Sequence, residues 1–199
     1  MGLLARLYNI RRAIFLKWGS AYVKERIWNK EFASGRWACL EHTEKDCLYP
    51  ILEKYCCGGD ILDLGCGSGN TGNELNPVCY GRLLGVDISA VAIRQARERT
   101  RLTGRASKNT YQQGDIETFL PRCRYRVILF RESIYYVPFF KVKPMLRRYK
   151  AFLDDQGVFI VRLYDRHSNA VIVKLIEENY AIRERYEDPD GKTAILVFR

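Results

Sequence analysis

Histidine is nearly missing from this sequence, with two in 199 residues, His42 and His167. Cysteine is present but odd in number, seven, and no two are spaced Cys-x-x-Cys. Structural zinc sites draw on such pairs or on histidine clusters, and disulfide frameworks on even sets, so neither is expected and no metal site is assigned. Reduced thiols in a cytoplasmic protein are the simplest reading, with Cys56 and Cys57 expected in the core. No run approaches the ~20 uninterrupted apolar residues that cross a bilayer. Near the N-terminus Arg6, Arg11, Arg12 and Lys17 break every apolar run and no small-residue cleavage site follows, so no secretory leader is read. Repeats, low-complexity linkers and a composition shift marking a second domain are also missing, which leaves one domain.

What is there is globular in composition, with 47% apolar and 28% charged residues. The net charge of +10 bears on anionic partners rather than on fold. It is uneven. Residues 1–30 carry Arg6, Arg11, Arg12, Lys17, Lys24, Arg26 and Lys30 against Glu25 alone, and Lys141, Lys143, Arg147, Arg148 and Lys150 form a second cluster.

Leu3, Leu7, Ile10 and Ile14, then Tyr22, Ile27 and Trp28, predict one or two basic amphipathic helices broken near Gly19. Phe32 to Trp37 reads as a loop, and Glu44 to Tyr55 as a helix interrupted near Pro50. From residue 60 short apolar strands alternate with helices. The strands are Ile61–Leu64, Arg82–Val86, Thr110–Gln112, Arg126–Phe130 and Val158–Val161. The helices are Ala90–Arg101 capped by Ser89, Pro144–Leu153 with its proline in the first turn, and Ser168–Asn179. Ala181–Tyr186 and Ala194–Phe198 close the chain as an antiparallel pair across the turn Asp188-Pro189-Asp190-Gly191. Such alternation predicts an α/β, Rossmann-like, seven-stranded and mostly parallel sheet with an antiparallel last strand and helices on both faces. Residues 1–57 form an N-terminal helical extension or lid, and 58–199 the core.

The first strand runs into Asp63-Leu64-Gly65-Cys66-Gly67-Ser68-Gly69. Glycines there let the backbone turn tightly and approach a ligand where a Cβ would collide, beyond the carboxyl ends of the strands. Asp87 ends the second strand, 22 residues after Gly65, where a carboxylate accepts from ribose hydroxyls. Asp115 follows the third strand, placed to accept from an adenine amino group. These three motifs resemble those of class I S-adenosylmethionine-dependent methyltransferases: Asp63-x-Gly65-x-Gly67-x-Gly69, Gly85-Val86-Asp87-Ile88-Ser89 and Gly114-Asp115-Ile116. The resemblance covers about 58–165 and implies S-adenosylmethionine as cofactor and S-adenosylhomocysteine as product. It implies that the glycine turn, Cys66 included, holds the methionine part, that Asp87 holds the ribose, that Ile88 packs on the adenine, and that Asp115 and the Ile116 backbone read its edge. Asn70 stands where a dinucleotide-binding turn has its third glycine, which argues against a nicotinamide-dependent oxidoreductase, kept as an alternative.

The fourth strand leads into Phe130-Arg131-Glu132-Ser133-Ile134-Tyr135-Tyr136-Val137-Pro138. This run lacks the Asn-Pro-Pro-Tyr-like signature of many nucleic-acid and protein N-methylating relatives and is similar to the Glu-x-x-Tyr-Tyr run of nodulation-type N-methyltransferases. The resemblance implies a small-molecule acceptor, methylated at nitrogen, with an RNA or protein methyltransferase as the alternative. Glu132 is assigned to orient the acceptor or take its proton. Tyr135 and Tyr136 are assigned to surround a cationic amine, a contact worth ~0.5–2 kcal/mol. Two residues depart from the family's habit: Arg126, read as a packing residue, and Arg131, read as an anion contact for cofactor or substrate. In similar small-molecule enzymes an aromatic-Gly-Arg-Trp segment covers the cofactor, which puts Arg36 on its carboxylate and Trp37 in the acceptor pocket.

The basic N-terminus has three readings: a lid over the site, taken first; a peripheral contact with an anionic membrane; and nucleic-acid attraction, taken last because no recognised binding module accompanies the charge.

Overall fold

The computed structural model describes residues 3–38, Thr43, 46–189 and 191–199. Helices α1 (Leu3–Trp18) and α2 (Ala21–Ala33) are separated at Gly19 and Ser20. The break has two causes. A Cβ at Gly19 would stand 2.4 Å from the Phe15 carbonyl oxygen, and the Ser20 hydroxyl caps α2 by accepting from the Val23 amide. Helix α2 runs through Phe32 and Ala33, so only residues after 33 are loop. Helix α3 (Leu48–Cys56) carries Pro50 in its first turn, where a missing N–H costs nothing, so the expected interruption does not occur. The expected start at Glu44 lies outside the described residues, as does Asp190 of the last turn. Cys57 follows α3 at positive φ and is exposed, whereas Cys56 is buried.

The sheet contains β1 (Ile61–Leu64), β2 (Leu83–Asp87), β3 (Asn109–Gln113), β4 (Tyr125–Arg131), β5 (Leu153–Leu163), β6 (Ile182–Glu187) and β7 (Ala194–Phe198). Their spatial order is β3-β2-β1-β4-β5-β7-β6. β7 is antiparallel to both neighbours, so the other six strands point one way. Between them run α4 (Asn70–Glu74), α5 (Ala90–Leu102), α6 (Phe139–Lys150) and α7 (Ala170–Asn179).

Strand periodicity divides the core in two. From β4, Val127 and Leu129 join one apolar cluster with α3 and α5, while Ile128 and Phe130 join another with α6 and α7. One boundary differs materially from its sequence reading. α6 begins at Phe139, just after Pro138, and holds Pro144 in its interior. The apolar stripe Val142, Met145, Leu146 and Tyr149 is fully packed, and that packing outweighs the lost backbone hydrogen bond. The strand order reverses between β1 and β4, which opens a crevice at the carboxyl ends of those strands.

Candidate active site

That crevice holds a cavity of about 530 Å³, walled by the ends of β1, β2 and β4, the loop after β3, and the inner side of α1 and α2. The volume falls in the range of small-molecule sites. The glycine turn forms its floor. Gly65 has φ +83°, and a Cβ there would meet the Ser133 Cβ at 2.4 Å; Gly67 has φ +54° and faces the cavity, where the nearest atom to an added Cβ is Phe32 Cζ at 3.4 Å. Gly69 caps α4, its absent Cβ facing Ala96 and the Tyr111 hydroxyl at 2.9 Å, so it serves the packing of the turn and does not wall the cavity.

Asp63 is 1% exposed. Burial pushes its carboxyl up to about 6, against the hydrogen bond of Thr71 and the charge of Arg131. Its Oδ1 faces no hydrogen-bond partner among the described residues. Asp87 is fixed at both oxygens, Oδ2 accepting from the Gly67 amide at 2.9 Å and Oδ1 from the Ser89 amide at 2.8 Å. Burial raises its carboxyl, and these two amides work in the opposite direction. Each oxygen retains a lone pair. Ile88, Asp115, Ile116 and Cys66 also line the cavity, and burial raises the Cys66 thiol well above its ordinary value.

At the other end Glu132 sits at φ +55°, in the left-handed region that non-glycine residues avoid. Its neighbours over-determine it. The Glu132 amide donates to the Arg162 carbonyl at 3.2 Å, the carboxylate pairs with the Arg162 guanidinium, and Oε2 accepts from the Tyr164 amide at 2.9 Å and the Tyr135 hydroxyl at 3.0 Å. Arg162 Nε lies 3.3 Å from Asp46 Oδ1, an ion-pair distance. Arg131 shares Asp46, at 2.8 Å, and also donates to Thr43 Oγ1 at 2.9 Å and the Tyr49 hydroxyl at 3.0 Å. Arg131 therefore reaches the cavity wall with Asp46 beside its charge.

The N-terminal helices bring aromatics to this end. Trp28 meets Tyr136 edge to face at 5.0 Å and Trp37 at 5.7 Å, and Tyr135 lies 4.8 Å from Tyr136. Burial raises both tyrosine hydroxyls, so they stay protonated. Glu31 organises the cluster, pairing with Arg12 and accepting from Trp37 Nε1 at 3.1 Å. Arg36 lies 3.6 Å from Glu31 and stands over the Trp37 ring, and does not itself line the cavity. Helix α2 is docked by Asn29, which accepts from Ser89 and the Val91 amide, and by Lys24 paired with Glu117 in the loop after β3.

Sequence reasoning missed Lys24, Trp28, Asp46, Glu117, Arg162 and Tyr164, all on the cavity wall. Trp28 carried a signal, a large aromatic in a basic amphipathic helix. Asp46 and Arg162 carried none, because their pairing joins positions over a hundred residues apart.

Fold and site together define an α/β protein with a small-molecule-sized cavity at a sheet switch point. The sequence model described as a methyltransferase domain matches residues 58–193. The chain belongs to that family and is an S-adenosylmethionine-dependent methyltransferase of class I, which removes the oxidoreductase alternative. Among curated proteins none matches it significantly by sequence. Among solved structures it is similar to the N-methyltransferase NodS from Bradyrhizobium japonicum WM9 in complex with S-adenosylhomocysteine, with 19% identity, 88% of this chain and 97% of that one covered, and a TM-score of 0.70. It is similar to a putative O-methyltransferase from Nostoc punctiforme PCC 73102, with 16% identity, 86% and 59% covered, and a TM-score of 0.71. It is also similar to the glycopeptide N-methyltransferase MtfA complexed with S-adenosylmethionine, with 11% identity, 76% and 85% covered, and a TM-score of 0.65.

Proposed function

We propose that this enzyme methylates a nitrogen of a small-molecule amine. Bound S-adenosylmethionine supplies an activated methyl group on a sulfonium leaving group. The residues present fit that cofactor. A buried carboxylate with an unmatched oxygen, Asp63, suits a cationic ligand group. A glycine floor leaves room for close backbone approach, with Phe32 above Gly67, and Asp87 keeps a free lone pair on each oxygen for ribose hydroxyls. We assign Ile88, Asp115 and Ile116 to the adenine, and Cys66 to the methionine end.

The observation that carries the amine reading is the pairing of aromatic faces with one fixed carboxylate. Tyr135 and Tyr136 supply rings that favour a cation within about 6 Å, backed by Trp28 and Trp37, over which the Arg12 and Arg36 guanidiniums already stand at 5.6 and 5.8 Å. Glu132 offers about four acceptor sites and spends three on Arg162, Tyr164 and Tyr135. The remaining lone pair, on Oε1, accepts one amine N–H and turns the nitrogen toward the methyl group. The amine binds as the neutral base, its proton having gone to water, so that its lone pair can take the methyl group; the rings then favour the ammonium that results, and Glu132, its charge matched by Arg162, orients the acceptor. Orientation is where such an enzyme gains most, since the leaving group needs no further activation.

A screen of primary and secondary amines, phenols and carboxylates with methyl-labelled cofactor tests this reading. Label is expected in amines, with Glu132→Gln lowering turnover at least tenfold and leaving calorimetric cofactor affinity within about threefold. Label in phenols, RNA or protein alone, or equal turnover in the variant, overturns it.

A further inference from the structure

Helix α1 is turned inside out. Leu16 anchors it at 1% exposure, while Leu7, Ile10, Ile14 and Trp18 are 49%, 50%, 52% and 60% exposed. By the 3.6-residue turn those four lie within about 80° of the helix circumference, opposite Leu16. Trp18 continues the apolar surface by stacking on Phe140 of α6 at 5.9 Å, and Phe140 is itself 63% exposed. A monomer rarely leaves so large an apolar face in water without a partner.

Charge selects the partner. α1 contains no acidic residue, and by the 3.6-residue turn exposed Arg11 and half-buried Lys17 flank its apolar stripe on either side, while Lys141 beside Phe140 on α6 is paired with Glu117. A second copy would set one basic face against another in a chain of net charge +10. No helix among the described residues is long and apolar enough to cross a membrane, and at 16 residues α1 spans only about 24 Å. A helix of this kind lies in the interface, its apolar face among the acyl chains and its cations at the headgroups.

We propose that the outer face of α1, with Trp18 and Phe140, docks on an anionic lipid bilayer. The inner side of the same helix pair, through Leu16, Lys24, Trp28 and Phe32, walls the cavity. The bilayer thus sits one helix layer from the site. This inference holds whatever the acceptor is, and its test does not involve methyl transfer.

The full chain is sedimented with sucrose-loaded vesicles of phosphatidylcholine alone, or of equal parts phosphatidylcholine and phosphatidylglycerol, in 0.1 M and 0.5 M salt. At 0.1 M salt, partitioning onto the anionic vesicles is expected to exceed that onto the neutral ones at least tenfold, and to fall at 0.5 M. The exposed pair Ile10→Asp with Ile14→Asp is expected to lose the partitioning while keeping calorimetric cofactor affinity. Should that pair lose the affinity, Trp18→Ser carries the same comparison. Equal partitioning onto both vesicles, no partitioning, or a variant that sediments like the parent overturns the proposal. So does a dimer in sedimentation velocity that the Ile10/Ile14 variant abolishes, which would assign the face to a second copy.

Discussion

Gly67→Ala separates binding from folding at the floor of the cavity. Gly67 has φ +54°, and its missing Cβ would find nothing nearer than Phe32 Cζ at 3.4 Å, an ordinary contact. The folded protein has room for the methyl group, and the Gly67 amide can still donate to Asp87. The cost to folding is the left-handed backbone alone, about 1–2 kcal/mol for an alanine. For a chain of this size that lowers Tm by about 2–4 °C per kcal/mol. The added methyl occupies the cavity that the cofactor fills. Forcing an extra methyl into a packed contact costs about 1–3 kcal/mol, or roughly 5- to 150-fold in Kd. Scanning calorimetry gives the first number and titration with S-adenosylmethionine the second. A variant with the expected small loss of Tm and an unchanged Kd would refute the placement of the cofactor on this turn. Loss of folding would show that the turn is packed against protein there, as Gly65 is against Ser133.

Two further expectations come from strain and burial. Burial holds the folded-state pKa of Asp63 at about 6, above its ordinary 3.8, so between about pH 4 and 6 the folded chain binds more protons than the unfolded one and its stability falls as pH rises. Without cofactor, Asp63→Asn should therefore melt above the parent at pH 7, with the gap closing toward pH 4; a gap independent of pH removes the argument. Glu132→Gly and Glu132→Ala both delete the carboxylate, but only alanine carries the strain of φ +55°. The glycine variant should melt higher, by about 2 °C or more, and an alanine variant that melts level with it or above it would show that the backbone there stores no strain.

The strands of the core were legible because burial on both faces writes apolar runs, unbroken in Ala194–Phe198 and interrupted only by Asp63 in Ile61–Leu64, and the ends of both match the structure residue for residue. That Asp63, Gly67, Asp87 and Asp115 meet around one cavity was legible because a tight turn and strand ends leave few residue choices. α6 was misread at its start because a proline suits a first turn, and both Pro138 and Pro144 were available. The partner of Arg131, Asp46, was not legible because it lies on a distant loop. Glu132 gave no sign of its backbone angle, since Arg162, Tyr164 and Tyr135 impose it from three separate positions. The outward apolar face of α1 was invisible for a related reason: helical periodicity reports that a stripe exists, never which side meets the protein.

The aromatic wall has a bearing on how such enzymes diversify. Trp28, Phe32 and Trp37 come from residues before position 58, where the match to the family starts. The cavity wall is thus written in two consecutive stretches of one chain, Trp28, Phe32 and Trp37 in the first, and the glycine turn with Glu132, Tyr135 and Tyr136 in the second. A gene can exchange part of the first stretch and retain the second. Exchanging α1 and α2 would replace the rings of Trp28 and Phe32 while retaining the glycine turn, whereas α3 packs into the core of the sheet and belongs with it.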